Sequence, residues 1–529
     1  MTGVLLFILG SWMSTAQATI HPVWVGDAAN CNIASLGDLQ AQLALANPHF
    51  PIYVYVEPDS VHTLSDTIDI GTLKVKVTVA PCREYEELGA AEIRAADSKR
   101  MFTVDGGRLN IGSGVSLIGT TSLTTGDGGV IRARSSSKVN VYGSISGGHV
   151  SGHGGTIWMG GGTLALGRTA TIETGISGND GGCIWQSFGV ITIAESAEVR
   201  SCEAHGDGGG IYVANVNVSS PSAARVWGNQ AEYGGGIYAY YSDLSLAQLD
   251  LDENTATAQG GGLYATNSTL MMTNVRVREN NLTGLPGVTA MGAGLYAEQS
   301  SLTMRTDQSE CGLYNEDGER TLDVNRFCSE IRGNSGAASG GGLAVVSNTN
   351  VTLETTALAE NASGGLLLQG HSTMSAEGIV VFGHTEPAST PTHAIVVDDT
   401  SRLDLYFSTV ADNAAGGAGI AYQLPGPGTP GAQGWLRANI IRDNISGMPT
   451  GDNNLVVDTT QLVGGINYNN NPEFIGDHLH SPYKVYTTSP ALILSPGPGT
   501  GSTATDIDNV SRLGGADWTR GAFEAVPVP

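Results

Sequence analysis

Gly235-Gly236-Ile237-Tyr238-Ala239-Tyr240 leads through a polar step to Leu244-Ser245-Leu246, and Gly261-Gly262-Leu263-Tyr264-Ala265-Thr266 leads in the same way to Thr269-Leu270-Met271. The same element, two glycines ahead of a branched apolar residue, occurs upstream as Gly128-Gly129-Val130-Ile131, Gly154-Gly155-Thr156-Ile157, Gly181-Gly182-Cys183-Ile184 and Gly209-Gly210-Ile211. The branched residue therefore recurs at 131, 157, 184, 211, 237 and 263, a period of about 26 residues. A fixed period of that size marks a solenoid, in which no single turn can bury its own apolar face. After each glycine pair, apolar and polar residues alternate, which is the period of a strand. Three short strands and their corners fit into one such turn, and successive turns stack in parallel about 4.8 Å apart. The fold expected is all-β: a right-handed parallel β-helix with a core of stacked Ile, Leu, Val and Ala.

Working outward, the apolar register continues at Leu295, Leu343, Leu366, Ile395 and Ile420. The long steps place one bulge near Leu282 to Val288 and one insertion at 308–330, which carries Cys311 and Cys328. A second repeat sets an apolar residue three positions before an asparagine: Ile176…Asn179, Val226…Asn229, Leu251…Asn254, Val277…Asn280, Ile331…Asn334, Leu358…Asn361, Val410…Asn413 and Ile441…Asn444. Asparagine tolerates the left-handed backbone of a corner, and stacked asparagines hydrogen-bond along a ladder. The double glycines are expected at tight corners with positive φ.

Composition agrees with this architecture. There are 74 glycines in 529 residues, and the aromatic share is only 6%. The formal net charge of −25 argues against nucleic acid or an anionic membrane surface as partner. Val4 to Trp12 is a short apolar run followed by Ala16-Gln17-Ala18, the pattern of a secretory signal peptide over 1–18, and it implies an extracellular or outer-surface location. No later apolar stretch is long enough to span a bilayer as a helix. The six cysteines lie in neighbouring pairs, Cys31 with Cys82, Cys183 with Cys202 and Cys311 with Cys328, as disulfides of an oxidising compartment. Residues 19–100 are expected to hold an N-terminal cap, with a short helix over Ser35 to Ala46, and the first turns. The repeats occupy 101–445, and 446–529 form a C-terminal capping module.

The Gly-Gly-x-Ile and apolar-x-x-Asn copies between about 125 and 445 resemble the repeats of polymorphic outer-membrane proteins and related bacterial β-helix proteins, with Ile, Val or Leu standing where Phe is usual. The ending, Ser489-Pro490-Ala491 with Arg520-Gly521-Ala522-Phe523-Glu524, is similar to the C-terminal module of choice-of-anchor surface proteins. These resemblances imply a cell-surface β-helix protein and say little about activity.

Candidate sites are few. The residues that follow the inward apolar positions are Trp158, Trp185, Tyr212, Tyr238, Tyr264 and Tyr296, and alternation turns them outward as an aromatic column, which either stabilises the sheet through cross-strand pairs or forms a flat stripe on which sugar rings stack. Asp250, Asp252 and Glu253 make either a solvated turn or a calcium site, as do Asp506 and Asp508; His478 and His480 with Asp477 form a weaker metal candidate. No cofactor motif is legible, so calcium is the one possible cofactor. Gly152-His153-Gly154 matches one element of polygalacturonase-like enzymes, but their Asn-Thr-Asp and Arg-Ile-Lys elements are absent, the sole Asp-Asp, Asp398-Asp399, lies far downstream, and His153 reads as part of a glycine corner. The expected function is non-catalytic adhesion or glycan binding, with an extracellular polysaccharide or cell-surface ligand as partner. The alternatives are a polysaccharide lyase or glycoside hydrolase, and a structural envelope protein.

Overall fold

The computed structural model describes residues 52–456, with breaks at 57, 71–75, 82–88, 285–286, 308–312, 315–319, 322–327, 386–392, 414–418, 424–432, 438, 448 and 453, plus short strands outside that range. These residues form an all-β parallel solenoid of about 12 turns with about 27 residues per turn. Among the described residues there is no helix. Every apolar position predicted from the period is stacked as expected. Ile131 lies over Ile157, and the column runs on through Ile184, Ile211, Ile237, Leu263, Leu295, Leu343, Leu366, Ile395 and Ile420 to Ile445.

Each turn contributes two strands to one broad face, such as Ile131–Arg134 and Lys138–Val141, which fuse into single long strands at Ile184–Ile193 and Ile211–Ser220. A second face stacks Ser144–Ser146, Thr171–Glu173, Glu198–Arg200 and Ala224–Trp227, and onward. A narrow third face includes Ile176–Ser177 and Glu203–Ala204. The alternation in sequence becomes alternation in burial: in Ile237–Tyr240 the first and third residues are buried and the others turn outward. Stacking in register begins upstream of the repeats, where Ile52–Val56 pairs with Lys76–Pro81.

The corner between the second and third faces holds the asparagine ladder. Asn229, Asn254, Asn280, Asn334 and Asn361 are buried one above another, each Nδ2 donating to the next Oδ1 at 2.9, 3.1, 3.0 and 2.8 Å. Each Nδ2 also donates to a carbonyl of the preceding turn, from Val199, Val226, Leu251, Val277 and Ile331 respectively. Each Oδ1 from Asn254 to Asn361 accepts, in addition, the backbone N–H of the asparagine before it. All four hydrogen-bonding sites of an interior amide are thereby filled, which a buried amide requires.

The glycine and asparagine repeats prove to be one device. A Cβ on Gly210, Gly236, Gly262 or Gly294 would stand 2.9 Å from the Nδ2 of Asn229, Asn254, Asn280 or Asn334, and one on Gly342 would stand 2.8 Å from that of Asn361. Positive φ falls on the first residue of the early pairs, Gly128, Gly154 and Gly181, but on the residue ahead of the later pairs, at Gly208, Gly234 and Gly260. The expectation that both glycines of a pair need positive φ is corrected accordingly. Close approach, not backbone handedness, excludes a side chain at the last glycine.

Two asparagines fall outside the ladder. The residue stacked under Val199 is Ile172, not Ile176, so Asn179 lies on the third face and is exposed. After Asn361 the column continues through His384 and Asn413 to Asp443, whose Oδ2 takes the Nδ2–H of Asn413 at 2.6 Å; Asn444 is displaced by one residue. Ahead of Asn229 the corner is closed by the Cys183–Cys202 disulfide, with Cα atoms 5.4 Å apart, and Cys202 N donates to Asn229 Oδ1 at 3.0 Å. Another corner carries a hydroxyl ladder that the sequence did not announce: Ser242, Ser268, Ser300, Thr349, Ser372 and Ser401 each accept a backbone N–H from the turn before.

In the insertion, Leu313–Tyr314 and Arg320–Thr321 form an antiparallel pair, and Cys328 is disulfide-bonded. The signal peptide, the Ser35 to Ala46 helix, most of the C-terminal module, and Cys31, Cys82 and Cys311 lie outside the described residues.

Two predictions follow from the ladder. Asn280→Ala strands the amide groups of Asn254 and Asn334 and lowers stability by about 1–3 kcal/mol, measurable as a reduced thermal midpoint. The neutral His384 accepts the Asn361 N–H at Nδ1 over 3.1 Å, and burial lowers its pKa to about 4 from 6.5. The unfolded chain thus gains a proton first as pH falls, so the loss begins below 6.5 and reaches about 3 kcal/mol near pH 4. His384→Asn restores the ladder amide and removes this loss: its midpoint gains on the parent as pH falls from 6.5 to 4, and a constant difference refutes the assignment.

Candidate functional site

The six predicted aromatic residues stand in one column on the broad face. Trp158 and Trp185 have ring centroids 5.3 Å apart and nearly parallel planes, and Tyr212, Tyr238, Tyr264 and Tyr296 follow at 6.0, 5.1, 5.0 and 4.8 Å. Strand spacing imposes this geometry, because like side chains on neighbouring strands stack along the axis. The ring faces are therefore turned toward one another and the edges toward solvent. Arg132 covers the first face, its guanidinium 5.3 Å from the Trp158 centroid. Trp158, Trp185, Tyr212 and Tyr238 are half-buried, whereas Tyr264 and Tyr296 are 8% and 5% exposed and join an apolar cluster with Ala344, Val346 and Leu367. Burial pushes the Tyr212 phenol up to about 12, and Tyr238, Tyr264 and Tyr296 higher still.

Beside the exposed half of this column runs a polar row, one residue ahead of each positive-φ glycine: Asp127, His153, Asp180 and Asp207. Asp127 Oδ1 accepts the His153 N–H and Asp180 Oδ1 the Asp207 N–H, both at 3.1 Å. Asp127 also pairs with Arg132 at 3.6 Å. His153 Nδ1 lies 3.2 Å from Asp180 Oδ2, and this hydrogen bond raises its pKa. The imidazole also tilts against Trp185, with centroids 5.3 Å apart. The Asp207 carboxyl is pushed up to about 7, first by burial and then by the charges of Asp180 and Glu232. His153 is thus more than a glycine-corner residue. The signal for the row was legible, since a polar residue recurs at one fixed offset from the glycines.

A third feature was not anticipated. Three residues beyond the column, on the same turns, the corner positions Phe188, Asn215, Tyr241, Asn267 and Gln299 all have φ between 47° and 57°. Phe188 is 63% and Tyr241 52% exposed, and Tyr240 packs edge-on against Tyr241 with centroids 4.5 Å apart. The left-handed conformation costs a bulky L-residue about 1–2 kcal/mol, and asparagine much less.

Asp250 and Asp252 form an ion ladder on the second face: Arg276 reaches Asp250 at 2.6 Å, and Arg225 and Arg278 reach Asp252 at 3.0 and 3.2 Å. Asp250 and Asp252, the latter only 5% exposed on its side chain, are thus paired on a strand rather than solvated, whereas Glu253 near Arg225 is an exposed turn residue as its sequence suggested. Among the described residues no group of three or more His, Cys, Asp and Glu is placed to hold a metal. Asp477, His478, His480, Asp506 and Asp508 lie outside them. No described helix is long and apolar enough to cross a membrane.

The class defined by this architecture is the all-β parallel solenoid. No protein-family model matches the chain, so the resemblance to polymorphic outer-membrane repeats and anchor modules gains no support there, and no curated protein matches. Among solved structures it is similar to the catalytic domain of a GH87 alpha-1,3-glucanase in complex with nigerose, at 11% identity and a TM-score of 0.22, covering 84% of this chain and 68% of that one. So slight a likeness carries no argument about activity.

Asp207 generates the next prediction. Its raised pKa means that the folded chain keeps a proton the unfolded chain releases, so stability falls as pH rises from 3.8 toward 7. Asp207→Asn removes that loss: its thermal midpoint exceeds the parent's at pH 8, and the gain disappears below pH 4. Carbon-detected NMR titration finds the Asp207 carboxyl near 7 in the parent and lower in Asp180→Asn.

Proposed function

We propose that this chain is an exported, right-handed parallel β-helix that binds an elongated polysaccharide along its axis, without catalysis, as a surface or adhesion protein. The observation that carries the proposal is the linear pairing of two rows, half-buried aromatic residues from Trp158 to Tyr238 and the carboxylates and imidazole from Asp127 to Asp207. Both repeat at the strand spacing, which suits a polymer better than a compact ligand. Carboxylates accept hydrogen bonds from sugar hydroxyls, and outward aromatic edges offer apolar contact. The acidic row and the net charge of −25 disfavour a polyanion. The Cys183–Cys202 disulfide agrees with export to an oxidising compartment. Right-handedness is the general rule for parallel crossovers.

One observation favours a hydrolase as the second reading. Asp207, with its pKa near 7, stands beside Asp180, as an acid and a partner carboxylate must in glycoside hydrolysis. Against it, Asp127 and Asp180 already bind the backbone of the following turn, which is a structural duty.

Size-exclusion chromatography of the protein with neutral and acidic polysaccharides separates these readings. Co-elution with intact neutral polymer is expected, and it weakens at least tenfold when Tyr212→Ala and Tyr238→Ala are combined. Shortened polymer, abolished by Asp207→Asn, establishes the hydrolase instead. Absence of both effects refutes the polysaccharide proposal.

A further inference from the structure

We infer that the left-handed corner ridge Phe188, Asn215, Tyr241, Asn267 and Gln299 is a second contact line, built to take the sugar faces of an uncharged, extended polysaccharide. This rests on the polysaccharide reading above and assigns it a site and a ligand class.

The ridge does little for the fold. The same corner is occupied by Gly161 one turn earlier and by asparagine at 215 and 267, residues that accept positive φ readily. Phe188 and Tyr241 adopt it against their steric preference, at φ 57° and 47°. Neither recovers that cost by burial, since the two residues are 63% and 52% exposed. Phe407 takes positive φ elsewhere in the coil but is buried, whereas an exposed ring in that conformation is better suited to contact than to stability.

The chemistry of the ridge then selects the ligand. Aromatic and amide side chains alternate from 188 to 241, and amides continue at 267 and 299, with no charged side chain in the line. Adjacent turns are about 4.8 Å apart, so Phe188 and Tyr241 are separated by two strand spacings with the exposed Asn215 between them. An extended glycan presents apolar C–H faces and hydroxyl edges in similar alternation. The rings take the faces, and the amides, each donor and acceptor, take the hydroxyls. In the neighbouring column the ring faces are occupied by one another. The ridge rings have no such stack, and Tyr240 buttresses Tyr241 edge-on.

The test is affinity electrophoresis of the full chain through gels containing a soluble neutral β-glucan or a polyuronate. The variant is Phe188→Asn with Tyr241→Asn, because asparagine already occupies this corner; a thermal midpoint at or above the parent's verifies its fold. The parent is expected to be retarded by the neutral polymer and not by the polyuronate, and the variant to lose at least tenfold in affinity. Undiminished retardation of the variant overturns the ridge, and if Tyr212→Ala with Tyr238→Ala then loses binding, the polysaccharide reading stands without it. Equal retardation by the polyuronate overturns the neutral ligand class. A parent that no polymer retards overturns both proposals.

Discussion

The structure depends on one buried amide seated over one glycine. In each turn from Asn229 to Asn361 the chain reverses at a corner whose backbone groups are out of reach of water. The asparagine amide supplies the backbone of the preceding turn with a donor and an acceptor and joins the amides on either side, and it fits only because the last glycine of the pair has no Cβ in its path. Neither residue suffices alone. A larger residue at Gly262 would collide with Asn280, and an apolar residue at 280 would leave the Leu251 carbonyl and the Asn254 N–H of the preceding turn unpaired. The variations keep the same logic: a disulfide closes the corner at Cys183 and Cys202, a neutral imidazole stands in at His384, and a carboxylate ends the series at Asp443.

Once the corners set the register, each outward position becomes a line of side chains at strand spacing. The lines differ in what that spacing does to them. Opposite charges alternate into an ion ladder through Asp250, Arg276, Asp252 and Arg278. Planar rings stack from Trp158 to Tyr296. Burial, with the charge of the neighbouring Asp180, raises the pKa of Asp207. Lines that satisfy themselves in this way stabilise the coil, and what remains for a ligand is the edge of the column, the carboxylates beside it and the corner ridge.

The fold was legible because its signal is translational. Ile131, Ile157 and their successors are spaced by the length of a turn, and even the steps to Leu295 and Leu343, lengthened by insertions, were read in the correct register. Errors arose where two offsets compete within a turn. Ile176 also precedes an asparagine by three, yet it lies on the third face, so Asn179 shares the spacing of the ladder without joining it. The hydroxyl ladder was missed because serine and threonine are common in every strand here and mark no corner. The aromatic column was found as a column, but stacking direction follows from side-chain torsions that a sequence does not display. The ridge escaped for a simpler reason: positive φ at Phe188 and Tyr241 runs against the preference of both residues.

That contradiction separates two kinds of exposed aromatic residue on a solenoid. Trp185 and Tyr212 sit in extended strands, where rings are favoured, and each gains two stacked neighbours. Their presence is explained by the sheet whether or not anything binds. Phe188 and Tyr241 sit where glycine or asparagine would be easier, gain little burial, and interrupt a corner that neighbouring turns fill without strain. For the column, stability and recognition make the same demand, so the sequence pattern cannot distinguish them. For the ridge the two demands conflict, and the residues present are those that stability alone would not choose.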